Sequence, residues 1–278
     1  MSGAHRPARP RFLLVVAGTG TEVGKTWVGA RLATALREGG WNVAARKPVQ
    51  SFDPADPTPT DAACLAAATG EAPERVCPPA RCYERAFAPP MAAAVLGRPV
   101  PKLAELAAEV SDSWPRLAPD VGLVELAGGP RSPLAADGDG VDLVAALAPD
   151  AVLLVADAAL GTLNAIRLSA DALAPHPIHV HLNRYDAGDE LHGLNRRWLE
   201  QHVGLPLTTD VAALARAVVA RLPRFCRHCG QAGCAGACAR PLDPPRFCPR
   251  CARRLTVQVA PTGHRAECRV HGSLASEP

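Results

Sequence analysis

Lysine is almost missing from this chain. Of its 30 basic residues only Lys25, Lys47 and Lys102 are lysines, so arginine supplies nearly every positive charge. A lysine kept against that bias marks a place that needs a compact ammonium rather than a planar guanidinium. Lys102 is the exception: it lies in the helical stretch "PKLAELAAEV", and codon chance explains it. Long apolar runs are missing as well. Nothing approaches the roughly 20 consecutive apolar residues of a membrane span. "FLLVVA" follows arginines but is too short for an export signal and runs straight into a glycine loop. The expectation is a cytoplasmic protein with no membrane partner. The net charge of +3 is too small to imply any partner.

The 278 residues, 48% hydrophobic and 21% charged, suffice for one sizeable α/β core plus something small. Charge and cysteine divide the chain. From Leu222 onward nine arginines face three acids, a net +6, whereas residues 1–221 carry a net −3; seven of the ten cysteines follow residue 225. Two units are expected, 1–221 and 222–278.

In the first unit apolar runs of strand length alternate with helical patterns: "RFLLVV", "WNVAARK", "VGLVEL", "AVLLVAD" and "PIHVHLN", each followed by a turn and a helix-like stretch. That alternation predicts a parallel sheet with helices on both faces, with ligands at the carboxyl ends of the strands. Four stretches fall at those ends. "GTGTEVGKT" follows a strand and opens a helix. Its glycines let backbone N–H groups converge on phosphate, Lys25 reaches outer phosphates, and the Thr26 hydroxyl is placed to ligate Mg²⁺. Five residues separate Gly18 from Gly24, where the common phosphate loop has four. "RKPVQS" puts Lys47 at the mouth of the second strand with Ser51 a short step beyond. Asp61 opens a helix after a proline-rich loop, as a site residue or simply as a helix cap. "VGLVELAGG" ends an apolar strand in a carboxylate, Glu125, suited to partner a metal directly or through water.

"GTGTEVGKT", "KPVQS", the Asp61 helix start, "YERAFAPPMAAA", "VELAGGPRSPL", "LGTLNAI" and "HLNR" resemble, in order and spacing, the ATP-dependent dethiobiotin synthetases of biotin biosynthesis. The resemblance covers roughly residues 12–221, and the extra loop residue is characteristic of that family. It implies a P-loop NTPase-like fold and a homodimer that closes a cyclic urea on 7,8-diaminononanoate with CO₂ and MgATP. It implies that Lys25 holds phosphates and that Lys47 holds the carbamate and the transferring group. Thr26, Asp61 and Glu125 match the Mg²⁺ positions, and Ser51 the substrate-contacting serine. Glu22, Val23, Gly24, Lys25, Thr26 and Trp27 line the nucleotide, with Glu125, Leu126, Ala127 and Gly128 on the cofactor side and Asn183 at the adenine. The chain departs from the family pattern at Gly20 (usually Asp), Leu126 (usually Gly) and Pro89 to Met91 (usually Ser-Pro-His). Leu126 is expected to bring a side chain where backbone normally approaches closely.

In a cytoplasmic chain the C-x₂-C pairs of the second unit read as metal sites rather than disulfides. Cys226/Cys229 with Cys248/Cys251 fit one zinc ribbon but leave Cys234, Cys238 and Cys268 unused. A better grouping is Cys248, Cys251, Cys268 and His271, with "RRLTVQVAPTG" as a hairpin between its pairs, and Cys226, Cys229, Cys234 and Cys238 as a second, tighter set. Thiolates suit zinc or an iron–sulfur cluster, and spacing does not choose. "RFCPRCARRLTVQVAPTG…AECRVHG" resembles the small biotin synthase auxiliary proteins over about 30 residues. That resemblance implies an iron–sulfur protein that assists biotin synthase, the enzyme acting next.

Two rivals stand beside this reading. One is another P-loop enzyme, an amidoligase or a protein-positioning ATPase, which would not be expected to carry KPV with a substrate serine. The other is a degenerate scaffold whose basic tail is a nucleic-acid-binding ribbon. Against it, the tail offers only Phe225 and Phe247 for base stacking.

Overall fold

The computed structural model describes residues 9–115, 118–235, 237–240, 243–261 and 263–274. The chain divides into two compact units, one up to Ala220 and one from Arg221.

In the first unit the elements run β1 (Phe12–Gly18), α1 (Lys25–Glu38), β2 (Val43–Arg46), β3 (Gln50–Ser51), α2 (Asp61–Thr69), α3 (Pro73–Val76), β4 (Cys82–Tyr83), α4 (Pro89–Val95) and α5 (Leu103–Asp112). They continue with β5 (Val121–Glu125), β6 (Pro133–Ala135), β7 (Gly138–Asp139), α6 (Gly140–Leu147), β8 (Ala151–Asp157), α7 (Thr162–Leu173), β9 (Ile178–Asn183), α8 (Glu190–His202), β10 (Leu207–Thr208) and α9 (Val211–Arg221). Six strands form one sheet in the order β10-β9-β8-β1-β5-β2, every pairing parallel. The expected α/β class is the observed one. All seven residues of β1 are buried, as a strand covered on both faces requires.

Pairing register decides which side chains meet. Val16 of β1 pairs with Glu125 of β5, and Arg46 of β2 pairs with Val124, so Lys47 leaves its strand beside Glu125. On the other side of β1, Gly18 pairs with Val155, and Asp157 with Asn183. The phosphate-type loop, Lys47, Glu125 and Asn183 therefore share one edge of the sheet. Leu126 continues β5 by donating its N–H to Val16 O, and its side chain is buried in the apolar core beside Gly140. The expected intrusion of that side chain into the site does not occur, because only its backbone faces the strand ends.

Lys25 and Lys47 are buried and Lys102 is exposed, so the two lysines at strand ends are inside and the helical one is on the surface. Helix α2 starts at Asp61, but its cap is Thr60, whose side chain accepts a hydrogen bond from Ala63 N at 3.3 Å. Asp61 is thus the first helical residue, and its carboxylate is free for other partners. The short parallel pair β3–β4, with Gln50 opposite Cys82 and Ser51 opposite Tyr83, was not visible in the proline-rich sequence. Among the described residues no helix is long and apolar enough to cross a membrane.

The second unit contains an antiparallel sheet of β11 (Thr256–Ala260), β12 (Gly263–Cys268) and β13 (Gly272–Ser273), in which β11 and β12 form the expected hairpin. It also contains an internal repeat that sequence reading passed over: R-F-C-x-x-C at 224–229 and again at 246–251. Both copies fold alike. Phe225 bridges Ala232 and Phe247 bridges Arg254; Cys226 N bonds Gln231 O and Cys248 N bonds Arg253 O, each at 2.9 Å. The copies also bond each other reciprocally, Phe225 N to Pro249 O at 2.9 Å and Phe247 N to Arg227 O at 2.8 Å. Each turns after its second cysteine through a left-handed residue, Gly230 or Ala252.

Candidate functional site

At the carboxyl edge of the sheet four side chains close on one another. Lys47 Nζ lies 2.6 Å from Asp61 Oδ2, 2.6 Å from Glu125 Oε1 and 3.4 Å from Leu126 O. The Thr26 hydroxyl lies 2.7 Å from Asp61 Oδ1 and 2.8 Å from Glu125 Oε1, and its single proton serves one of them at a time. Residues from four separate stretches of sequence thus meet in one cluster, in which Lys47 and Glu125 are buried and Thr26 and Asp61 partly exposed.

Burial sets the electrostatics. It would lower Lys47, but the Glu125 and Asp61 charges more than offset it and leave the ammonium harder to deprotonate than an ordinary lysine. It lowers Lys25 to about 8, and the neighbouring Lys47 charge adds to that shift. It raises Glu125, which Lys47 only partly opposes. Asp61 resists burial: the charge of Lys47 and the hydrogen bonds from Lys47 and Thr26 hold it below the usual carboxylate range. Glu125 Oε2 and Ser51 Oγ are buried with no protein partner. Three hard oxygen donors in contact, one with a spare oxygen, form a donor set that suits Mg²⁺.

The loop before α1 is built for close approach. Lys25 Nζ donates to Gly20 O at 2.7 Å and folds back under the loop; a Cβ on Gly18 would strike its side chain at 2.8 Å. Gly24 is left-handed, and a Cβ there would meet Asn183 Nδ2 at 2.1 Å. Asn183 Nδ2 instead donates to Val23 O at 3.0 Å, and Glu22, itself at positive φ, offers its carbonyl to Arg184 Nη2 at 2.9 Å. Beyond the loop a cavity of about 620 Å³ is lined by Gly24, Trp27, Arg31, Asn183, Tyr185 and Asp210 among others. Trp27 is half exposed, with the Arg31 guanidinium 5.9 Å from its ring centre. Ala127 packs against the core, and left-handed Gly128 sits over Ser132, whose Oγ accepts Gly129 N at 2.8 Å. Gly20, where the sequence resemblance implies a carboxylate, has open space around its Cβ position. Sequence reading missed Arg184, which pairs with Asp157 at 2.8 Å, and Arg31 and Asp210 in the cavity. The "HLNR" stretch held the only signal for the first of these.

In the second unit Cys226, Cys229, Cys234 and Cys238 offer sulfurs that all lie within 4.8 Å of one another, and so do the ligand atoms of Cys248, Cys251, Cys268 and His271. The two-set grouping is the one that folding brings together; the single ribbon is not. The second set is buried around Cys248, Cys251 and Cys268 with Leu255 and Val270, whereas the first is half-buried to exposed.

A parallel sheet with a glycine loop opening a helix at its carboxyl edge, a buried lysine and an oxygen triad defines a P-loop nucleotide-binding protein. A family model described as an AAA domain matches residues 13–220. An ATP-dependent dethiobiotin synthetase BioD of Caulobacter vibrioides is 40% identical over 172 residues, covering 60% of this chain and 76% of that protein. The BioD proteins of Haloferax mediterranei and Anaeromyxobacter dehalogenans are 38% and 36% identical, covering 70% and 74% of this chain and 81% and 94% of theirs. The chain belongs to the ATP-dependent dethiobiotin synthetase family.

Gly24→Ala forces a left-handed alanine against Asn183 and is expected to destabilise the fold by about 1–3 kcal/mol. Chemical denaturation of the variant checks this, and an unchanged midpoint contradicts the geometry.

Proposed function

We propose that the first unit forms dethiobiotin from 7,8-diaminononanoate, CO₂ and ATP with Mg²⁺. The observation that carries the reading is the meeting of Thr26, Lys47, Asp61 and Glu125 within 2.8 Å beside the phosphate-type loop, in a chain of this family. One amine of the substrate adds to CO₂ to give a carbamate. A carbamate oxygen attacks the γ-phosphorus and ADP leaves; the second amine then attacks the mixed anhydride at carbon, and phosphate leaves as the ring closes.

Carbamate and γ-phosphate repel each other, so the residues' work is to position them and balance their charge. Lys25 and the N–H groups from Glu22 to Trp27 would hold the phosphates. Bound by Thr26, Asp61 and Glu125, Mg²⁺ supplies further neutralisation at the phosphate oxygens. Lys47 balances both carboxylates without the ion and is the cation left to meet the carbamate and the transferring group. Ser51, whose buried hydroxyl lacks a protein partner, would contact the substrate. The Leu126 backbone, with Ala127 and Gly128, would border the nucleotide, and Asn183 would meet the adenine at the mouth of the cavity.

For the second unit we propose two metal sites. Tetrahedral zinc holds sulfur at about 2.3 Å, which sets ligand sulfurs close together. The contacts of 3.3 Å between Cys226 and Cys238 and 3.5 Å between Cys251 and Cys268 support a single ion in each set. A four-iron cluster would hold the sulfurs further apart. The likeness to auxiliary proteins favours the second reading, an iron–sulfur site that serves biotin synthase. Metal sets built on free cysteines rather than disulfides fit residence in the cytoplasm, the reducing compartment. A homodimer is the family arrangement, and Met91 and Val95, one turn apart on α4 and exposed near Phe87, give it a face to cover.

Incubation with diaminononanoate, bicarbonate and MgATP is expected to yield dethiobiotin and ADP in equal amounts; formation of neither overturns the reading. Lys47→Ala should lower kcat/KM by about 100-fold or more, and full activity in that variant removes its role. Metal analysis is expected to give two zinc per colourless chain, falling to one in Cys234→Ser; brown protein with iron and sulfide decides for the cluster. Light scattering should give twice the 29.0 kDa chain mass, and a monomer at working concentration excludes the dimer.

A further inference from the structure

Two cysteines outside the metal sets touch each other behind the candidate active site. Cys77 Sγ and Cys82 Sγ are 3.5 Å apart, Cys77 buried at the end of α3 and Cys82 partly exposed in β4. The loop between them is fixed from outside: Arg98 donates to Cys82 O at 2.5 Å, Ala80 O at 2.7 Å and Pro79 O at 3.1 Å. The sulfurs are therefore held in contact by a braced loop.

The pair is joined to the site through Gln50. Gln50 Nε2 donates to Cys82 Sγ at 3.1 Å, while its Oε1 accepts the N–H of Ala62 at 3.0 Å, in the first turn of the helix that carries Asp61. Gln50 precedes Ser51 on the strand paired with Cys82–Tyr83, and Lys47 N donates to Val76 O at 2.7 Å, next to Cys77. One buried amide thus ties a thiol to the strand bearing Ser51 and to the helix bearing Asp61.

We propose that Cys77 and Cys82 form a modification site for hydroperoxides, closing to a disulfide that releases Gln50 and loosens the Ser51 strand and the start of α2. Cys82 is the attacking thiol: its hydrogen bond with Cys77, the one with Gln50 and the charge of Arg98 together bring it down to about 7 against the opposing effect of burial. Cys77 is pushed up, chiefly by its hydrogen bond to Cys82 and by burial, and serves as the resolving thiol. The Cys82 thiolate attacks one peroxide oxygen, the O–O bond breaks, and the departing hydroxide takes a proton and leaves as water. Cys77 sulfur then displaces hydroxide from the sulfenic acid, the S–S bond forms, and a second water carries off the remaining proton. Two thiols and one hydrogen peroxide give one disulfide and two waters. A disulfide sulfur no longer offers the thiolate that Gln50 binds.

The sequence supplies its own assay, because trypsin cuts after Arg81, between the two cysteines. Full-length protein treated with hydrogen peroxide is expected to give VCPPAR and CYER as one disulfide-linked product, two hydrogens lighter than their sum and separated by dithiothreitol. If peroxide leaves both thiols open to alkylation, the site is not redox-active. Amide exchange of Ala62 should rise by about threefold or more in the oxidised chain; unchanged exchange overturns the link through Gln50. Cys82→Ser keeps an acceptor for Gln50, so it should retain the reduced chain's turnover and lose sensitivity to peroxide. Only the turnover arm rests on the proposed reaction. A reduced chain without activity but with the linked peptide and faster exchange would count against that reaction and leave the modification site standing.

Discussion

The buried ammonium of Lys47, held at 2.6 Å from each of two carboxylates, is the interaction on which the rest of the first unit depends. Neither Lys47 nor Glu125, both almost wholly buried, is tolerable there alone, since an unpaired buried ion costs several kcal/mol and the removal of one partner leaves the other stranded. Their cluster therefore demands that β2 and β5 end, and α2 begin, at one place. The sheet supplies this through register, with Arg46 opposite Val124 and Val16 opposite Glu125. Such an arrangement is poor as a source of stability and good as a binding site: it is a preformed set of charges and hard oxygens that can exchange partners with an anion and a divalent ion.

The same economy governs the loop before α1. Gly18 and Gly24 leave room for Lys25 and Asn183, so the glycines that permit phosphate approach also permit two functional side chains to lie against the backbone. Leu126 shows the opposite solution. Where the resemblance implies glycine, this chain keeps the backbone path and turns the side chain into the core beside Gly140, a neighbour without a Cβ. A departure that reads as an obstruction along the sequence becomes a packing exchange in the fold.

The second unit obeys a different constraint. It is too small to bury a large core, and its buried cluster consists of Cys248, Cys251 and Cys268 with Leu255 and Val270 packed around them. Its order comes from a duplicated turn, R-F-C-x-x-C, whose copies exchange backbone hydrogen bonds while each turns its cysteines to a separate set. Viewed as spacing alone, the copies suggest one shared ribbon. Their placement back to back is what separates them.

Much of the site was legible in the sequence because each local rule leaves a mark there. Apolar runs bounded by turns fixed the five long strands, glycines spaced before a lysine and threonine fixed the loop, and the scarcity of lysine singled out Lys25 and Lys47. The cysteine groups followed from a count in which none was left unused. What the sequence could not carry are contacts whose partners lie far apart along the chain: Lys47 with Asp61 and Glu125, Asn183 with Val23, Gln50 between Cys82 and Ala62, Arg184 with Asp157. Asp61 illustrates the limit, since its place at a helix start agrees equally with a cap and with a ligand. Only the fold, by giving the cap to Thr60, turned its carboxylate toward Lys47. Local propensity and pattern thus determined the elements and the types of residue at their ends. Strand register and the packing of α2 against the sheet decided which of those residues meet, because charges brought from distant segments become a site only when the backbone between them is fixed.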